Sequence, residues 1–501
     1  MATNATTSAP FASFFQLIQR TLWALRQFAP SRQAPEAIQR TQQERLRALL
    51  AQARAGSAFY REKFRHLPED CTDLQAFPIT TKAEMMAHFD AVVTDPAVTR
   101  AGVEGFMSDA ANAGRLFLGK YAVAHTSGSQ GQPALIVQNQ QVLDLLYAFQ
   151  LTRGQAAGAG SAVGRLVQTV RRLLRPTRVA VLSSAQGFFP SACVWQHLPR
   201  YLHWCMRFLF VPANDPRLLD KLNEFSPSVL TAMPSTLELL ALNDEELHLP
   251  RLERLITCSE PLTAKTRERL RHAFGVPVLD NYACGECLFL SNGCPTAPGA
   301  HLNSDWAILE VVDAHNQPVP PGQPGHKVLL TNLANTVQPF IRYELGDGVT
   351  MATEPCGCGS RLPRLQTIRG RTEDVFWLHI AQGYRALLEY PFQHAFDPLR
   401  EVREWQAVQV ERNHLIIRLE SIPGTVVDVE AARRRLEERL RTTGWPLAEL
   451  HLTLEAVPNL TPDEPTTKFR HMVSHTGPPA DLDTEHMDLQ AESTGSPCAG
   501  E

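Results

Sequence analysis

The sequence predicts an α/β protein in two parts: a large N-terminal domain with mixed sheets and helices, and a small α+β C-terminal domain. Three observations predict it. Between about residue 120 and residue 300, short apolar runs alternate with helical stretches, as in layered α/β structure with largely parallel strands. After 300, strands flank the turn-rich run Asn316-Gln317-Pro318-Val319-Pro320-Pro321-Gly322, a hairpin-like and more antiparallel pattern. After Gly370 the pattern shifts again, into a unit of about 100 residues, an ordinary size for a domain.

The elements follow in order. Residues 1–30 form an amphipathic extension; Gln16, Gln19, Arg20 and Arg26 interrupt its apolar residues, so it is too polar to span a bilayer. Phe14, Phe15, Leu17, Leu22 and Trp23 are expected to pack on the protein's own body rather than on a membrane or partner. Ala37 to Ala55 reads as a helix with Leu46, Leu49 and Leu50 on its apolar stripe, and Thr80 or Thr81 caps the helix that follows. Tyr121 to His125, Val179 to Leu182, Val229 to Ala232 and Leu255 to Cys258 read as strands. Pro216 to Phe225 and Thr263 to Phe274 read as helices between them, the first with Asp215 as N-cap and Pro216 at its first position. Ala307 to Val312 and Lys327 to Thr331 are strands, as are Ala407 to Val410 and Leu415 to Leu419 around Arg412-Asn413. Val429 to Arg441 is a charged helix, and Leu450 to Leu454 a further strand. The expected division is 1–370, 371–475 and a disordered polar tail over 476–501.

Hydrophobic content of 44% and charged content of 20% are those of a globular chain with a sizeable core. The formal net charge of -4 argues against a general nucleic-acid partner. The basic run from Arg171 to Arg178 reads as a solvated helix end and turn. No secretory signal is recognisable, so the expected location is cytoplasmic and the ten cysteines are expected to be reduced rather than a disulfide scaffold. Half of them fall between 284 and 358, which raises the possibility of a metal site.

Two distant segments carry the first chemical signal. Thr126-Ser127-Gly128-Ser129-Gln130-Gly131-Gln132-Pro133 is a hydroxyl-rich, glycine-rich turn after a strand, able to wrap backbone N–H groups around an anion. Taken alone, it equally fits a surface linker. Arg342-Tyr343-Glu344-Leu345-Gly346-Asp347 ends in a carboxylate on a glycine turn. Together they point to a nucleotide held by its phosphates and its ribose. Leu255 to Leu262 and Val278 to Glu286 are strands ending in polar turns, the places where ligands sit in open α/β sheets. Ile368 to Asp374 lies where the pattern changes.

In this order, with Ser226 to Ser235 and Cys356-Gly357-Cys358-Gly359 added, the segments resemble the acyl-adenylate-forming superfamily, most closely its phenylacetate–CoA ligase-like branch. The resemblance runs roughly from Phe59 to Arg470. It implies a large adenylate-forming domain and a mobile C-terminal lid. Thr126, Ser127, Gly128, Ser129 and Gly131 would cover the ATP phosphates. Ser259, Glu260 and Pro261 would flank the adenine and the acid pocket. Tyr282 would stack near the adenine, Glu286 would help hold Mg²⁺, and Asp347 would accept from the ribose hydroxyls. Arg371 would stand near ribose and phosphate, beside a hinge at Glu373-Asp374, and Lys468 would assist adenylation. The implied activity is ATP-dependent activation of an aryl or arylalkyl acid, then transfer to CoA or a carrier-protein thiol; a homodimer is a possible assembly. Ala232 to Thr236 and Cys258 to Glu260 are candidate lining for the acid, with Phe188, Phe189 and Trp195 as candidate aromatic walls and His125 beside the loop. Each of these aromatic residues, and His125, also fits ordinary core packing.

The chain departs from the family pattern at several points, among them Glu373 in place of a hinge aspartate and Thr466-Thr467 in place of Ser-Gly before Lys468. Gln132 stands where the phosphate loop usually carries lysine, and Gly285 stands where a hydroxyl residue usually precedes the glutamate. The alternatives are therefore a degenerate zinc-containing member that binds nucleotide or acid without ligase activity, and an adenylating enzyme that forms amides or esters. Cys294, His301, Cys356 and Cys358 could close a tetrahedral structural zinc site, and the resemblance favours it; Cys284 and Cys287 are competing ligands. Buried reduced cysteines are the other reading.

Overall fold

The computed structural model describes residues 32–476 together with Gln19, Leu22, Trp23 and Arg26, except for 127–133, 154–175, 183–186, 191, 193–195, 198–205, 213–214, 242–245, 260–261, 263, 314, 372–374, 382, 389, 397–398, 400, 423, 443 and 461–470. Contacts divide the chain into two compact units, the first ending at Gly370 and the body of the second running from Arg371.

The first unit opens on the helix Pro35–Gly56. Proline sits in its first turn, where a missing N–H leaves no helical bond unmade, and Ile38, Leu46, Leu49, Leu50 and Ala53 form the buried face. Of the two candidate caps it is Thr81 that caps Lys82–Ala87, accepting from the Glu84 amide at 3.2 Å. Thr80 is used differently: its amide donates to the Arg342 carbonyl and its carbonyl accepts from Glu344, both at 3.0 Å. Further back, Trp23 meets the ring of Trp306 edge-on, so the extension packs on the body of the protein there.

Strands β1 (Ala122–His125) and β2 (Leu135–Gln138) pair antiparallel, with His125 opposite Leu135. A five-stranded sheet follows, built from β3 (Thr177–Leu182), β4 (Met206–Val211), β5 (Val229–Ala232), β6 (Arg254–Thr257) and β7 (Val278–Asp280) in the order β4-β3-β5-β6-β7. Every neighbouring pair is parallel. Such a sheet is covered on both faces, which is why its strands read as unbroken apolar runs. Alternate residues confirm the two faces: Val179, Val181, Val229, Ile256 and Leu279 join one core, while Ala180, Leu182, Leu230, Leu255 and Val278 join another with Leu222, Leu237 and Leu270. The helix after β4 starts at Leu218 rather than Pro216. Asp215 does not cap it. Its carboxylate accepts from the Arg217 amide at 2.8 Å and its carbonyl from Leu218 at 3.0 Å, closing a turn just ahead of the helix.

The rest of the first unit is antiparallel or mixed, as the change of pattern after 300 predicts. It comprises β8 (Ser291–Gly293), β9 (Ala300–Leu302), β10 (Ala307–Val312), β11 (Lys327–Asn332), β12 (Tyr343–Leu345), β13 (Asp347–Met351) and β14 (Arg364–Arg371). The sheets run β10-β11-β12 and β13-β14-β9-β8.

The second unit has a hairpin, β15 (Val375–Ile380) with β16 (Gly383–Leu388), and a sheet ordered β19-β18-β17-β20 from β17 (Val402–Glu411), β18 (His414–Ser421), β19 (His451–Val457) and β20 (Met472–Ser474). The helix Val429–Thr442 buries Ala432, Leu436 and Leu440. These join Phe376, Phe392, Phe396 and Trp405 in a core of the unit's own. Among the described residues, no helix is long and apolar enough to cross a membrane.

Candidate functional site

The site assembles at the ends of β6 and β7, where the parallel sheet stops pairing and its strand-end loops are free to meet a ligand. Ser259, just past β6, holds a left-handed backbone conformation (φ 73°), uncommon for a residue with a side chain. Asn281, just past β7, donates its amide to the Thr257 carbonyl at 2.8 Å, and its own side-chain oxygen accepts from Gly293 at 2.7 Å. Thr257 in turn donates its hydroxyl to Asp280 at 2.8 Å. The strand ends are thereby tied together before the loops depart.

Tyr282 follows. It is buried, and the Ser291 hydroxyl accepts from its amide at 2.9 Å. Its own hydroxyl donates to Asp347 Oδ2 at 2.7 Å. Burial first, and then the charge of Asp347, push the phenol well above its usual range, so it stays protonated and remains the donor. Two residues singled out from separate segments are thus in direct contact. Asp347 opens β13 and is only partly covered, which leaves carboxylate surface for a further donor.

The rest of the segment before Asp347 is anchored rather than offered to a ligand. Arg342 is buried and pairs with both oxygens of Glu310, at 3.1 and 3.0 Å, and donates to the Phe77 carbonyl at 2.6 Å. Glu344 pairs with Lys327 at 2.8 Å. The arginine therefore fixes where the aspartate stands.

Glu286 lies on a tight turn closed by reciprocal bonds, Cys287 amide to Cys284 carbonyl at 3.0 Å and Cys284 amide to Cys287 carbonyl at 3.3 Å. The Glu286 side chain is 6% exposed and makes no hydrogen bond or ion pair among the described residues. With little of the residue exposed and no protein cation beside it among the described residues, its carboxylate could take a Mg²⁺ as partner. Gly285 packs tightly: a Cβ there would meet Pro190 Cγ at 3.2 Å, Thr126 Cγ2 at 3.5 Å and Ile136 Cγ1 at 3.6 Å. The turn and the start of the phosphate loop are therefore close neighbours, with room between them for little more than a methyl group. Thr126 itself accepts from the Ala134 amide through its hydroxyl and donates its own amide to the Ala134 carbonyl, both at 3.0 Å, which closes the loop at its base. Beside it, the His125 ring lies 4.9 Å from that of Phe189, which is 43% exposed.

A second cluster lies just past the end of β8, on β9 and on the turn before β14. The donor atoms of Cys294, His301, Cys356 and Cys358 all lie within 4.8 Å of one another. Cys294 Sγ is 3.4 Å from Cys356 Sγ, and Cys358 Sγ is 3.2 Å from His301 Nε2. Tetrahedral zinc with sulfur ligands at about 2.3 Å sets its donors about 3.7 Å apart, so the set needs little adjustment to close on the ion. His301 Nδ1 lies 3.1 Å from the Leu362 carbonyl; with the proton on Nδ1, Nε2 faces the sulfurs as a lone pair. Burial, and then the neighbouring Cys294 and Cys356 sulfurs, push the Cys358 thiol up to about 12, a penalty that a central cation would reverse. Backbone geometry serves the cluster: Gly299 has φ 93°, and a Cβ there would meet the Leu365 carbonyl oxygen at 1.9 Å. Cys284 and Cys287 stand outside this group. Burial, and then Glu286, push the Cys284 thiol well up, so it is a neutral neighbour of the carboxylates.

Several expected site residues lie outside the described residues: Ser127, Gly128, Ser129, Gly131, Gln132, Trp195, Glu260, Pro261, Glu373, Asp374 and Lys468. The side chain of Arg371 does so too, although its backbone belongs to β14. Sequence reasoning missed Gln138 and Asn332, which donate to the Gly285 and Glu286 carbonyls at 2.8 and 2.7 Å. A signal existed: Asn332, Asn335 and Gln338 recur at every third position.

Comparison with known proteins gives the family and the fold. The family model described as AMP-binding enzyme matches residues 40–330, more than half of the chain. The phenylacetate-coenzyme A ligase of Thermus thermophilus is 24% identical over 374 residues, spanning 71% of this chain and 75% of that protein. Among solved structures, 2-hydroxyisobutyryl-CoA ligase in its postadenylation state superposes with a TM-score of 0.56 at 20% identity, covering 89% of this chain and 90% of that one. The same ligase in complex with 2-HIB-AMP and CoA in the thioesterification state gives a TM-score of 0.56 at 20% identity, over 89% and 91%. At that identity the structures speak to the fold, which is the adenylate-forming one. On the family model and the fold, the chain belongs to the family of AMP-binding, acyl-adenylate-forming enzymes and is phenylacetate–CoA ligase-like.

Proposed function

We propose that the protein uses ATP to activate an aryl or arylalkyl carboxylic acid as its acyl-adenylate, and then transfers the acyl group to the thiol of CoA. In the first step a carboxylate oxygen attacks the α-phosphorus and pyrophosphate leaves. In the second the thiol sulfur attacks the acyl carbon, AMP leaves, and the thiol proton is released. The observation that carries the reading is the Tyr282–Asp347 hydrogen bond of 2.7 Å, which joins the strand-end loop expected at the adenine to the carboxylate expected at the ribose. The unpartnered Glu286 carboxylate supports a Mg²⁺ at the phosphates, where the ion supplies positive charge to oxygens that gain negative charge as pyrophosphate departs. Lys468 is the proposed second cation for this step. Phe189, exposed and set against His125 at the loop, supports a flat aromatic acid over a small aliphatic one.

Cys294, His301, Cys356 and Cys358 are proposed to hold one structural zinc. With all four positions taken by protein donors, such a site has no open place for substrate. Glycine at 285 favours slow chemistry over lost chemistry: it leaves no hydroxyl for the α-phosphate, yet lets the turn pack against Thr126.

The test is product analysis with ATP, Mg²⁺ and a panel of aryl, arylalkyl and short hydroxy acids, offered CoA or a phosphopantetheinyl carrier protein. Acyl-CoA and AMP from phenyl-bearing acids are expected. Product on the carrier protein alone would reassign the acceptor, and product only with short hydroxy acids would overturn the aromatic substrate.

A further inference from the structure

We infer that four buried carboxamides, Gln138, Asn332, Asn335 and Gln338, are positioning residues that hold the Glu286 turn and the strand leaving the phosphate loop in one frame; the inference rests on the adenylation reading of this site. Gln138 is 2% exposed and the other three are fully buried. Amide side chains are costly in a core unless their polar atoms are used. Here they are used on the backbone of the site. Gln338 accepts from the Val137 amide at 2.8 Å and donates to the Leu135 carbonyl at 3.0 Å, and Asn335 donates to the Val137 carbonyl at 2.9 Å. Together they line the open edge of β2 as a neighbouring strand would.

The other two amides reach the turn. Asn332 Nδ2 donates to the Glu286 carbonyl at 2.7 Å, while its oxygen accepts from the Ala334 and Asn335 amides at 3.0 and 3.2 Å. Gln138, the last residue of β2, donates to the Gly285 carbonyl at 2.8 Å. Consecutive carbonyls of the turn are therefore clamped, one from the phosphate-loop strand and one from the segment that leads to Asp347. Gln138 Oε1 is buried with no partner among the described residues. An apolar side chain would avoid that penalty, so what distinguishes glutamine at this position is its donor to Gly285. The frame orients the carboxylate of Glu286 through its own backbone, and no member of it needs to touch substrate.

The test compares Gln138→Met and Asn332→Asp with Leu270→Ala, a core change on the far side of the parallel sheet. The first two remove a donor to the turn, and Gln138→Met introduces no buried charge that could prevent folding. Both are expected to raise the Mg²⁺ concentration for half-maximal ATP–pyrophosphate exchange about tenfold, the usual scale for residues that orient a metal ligand, with the KM for the acid unchanged. Leu270→Ala should lower Tm without moving that concentration. Hydrogen exchange in the resting protein gives a readout that needs no activity: the peptide spanning 283–287 should exchange faster in both turn variants and not in Leu270→Ala. Wild-type protection of that peptide in both variants overturns the inference, whether or not the protein adenylates. Faster exchange with an unmoved Mg²⁺ requirement also overturns it, since the amides would then be merely structural. An inactive wild-type protein that keeps the expected exchange pattern counts against the adenylation reading and not against the clamp.

Discussion

Among the described residues, the strong partner of Asp347 is the Tyr282 hydroxyl at 2.7 Å, and that bond fixes the direction of its carboxylate. Tyr282→Phe keeps the ring and removes the donor. A hydrogen bond to a charged group is worth about 1.5–3 kcal/mol, so the KM for ATP should rise roughly tenfold, with a far smaller change in the KM for the acid. Steady-state kinetics in ATP and in acid check the split. Gly299 makes a second prediction at this scale. Alanine there has to hold φ 93° and set a methyl 1.9 Å from the Leu365 carbonyl oxygen. Gly299→Ala should therefore cost more than about 2 kcal/mol of stability, read as a lowered Tm. Neither contact was legible in the sequence. Tyr282 and Asp347 are 65 positions apart, and no local pattern announces a side-chain bond over that distance. Their identities as site residues were legible, because each ends a strand in a polar or glycine turn.

At the scale of elements, the parallel sheet was readable because strands buried on both faces are short unbroken apolar runs, as in Val179-Ala180-Val181-Leu182. The hairpin β15–β16 was not. The sequence between its two strands, Ala381-Gln382, lacks the Asn-Gly or Asp-Gly pair that marks a two-residue turn. The carboxamides at 332, 335 and 338 escaped notice because the segment that carries them, from the last residue of β11 onward, is irregular, so no strand or helix period marks an inward face. The cysteine cluster was readable as a set of residue types, and the fold explains why it closes. β8 and β9 bring Cys294 and His301 together, and β9 pairs with β14 so that His301 stands opposite Arg364, a few residues past Cys356 and Cys358. Metal analysis should give about one zinc per chain. Removal by a strong chelator should lower Tm by at least about 5 °C, with the loss recovered on adding zinc back. Metal-free purified protein with an unchanged Tm, or full zinc retention in Cys356→Ser, contradicts the four-ligand site.

At the scale of the molecule, each unit has its own core. That of the second gathers Phe376, Phe392, Phe396, Trp405, Leu436 and Leu440, with Phe392 and Trp405 stacked at 5.7 Å. A core of this kind predicts that residues 371–476 expressed alone fold cooperatively, with one thermal transition and dispersed NMR resonances. A chain that exchanges as an unfolded peptide would show that the unit needs the rest of the protein. The first unit holds Tyr282, Glu286 and Asp347, the described members of the proposed nucleotide site. The measurement that bears most directly on the central claim is acid-dependent ATP–pyrophosphate exchange in the wild-type protein and in Asp347→Ala. The account predicts exchange driven by at least one phenyl-bearing acid and reduced about a hundredfold or more at subsaturating ATP by the substitution. Exchange with no acid in a folded, zinc-loaded protein, or equal exchange in Asp347→Ala, would contradict it.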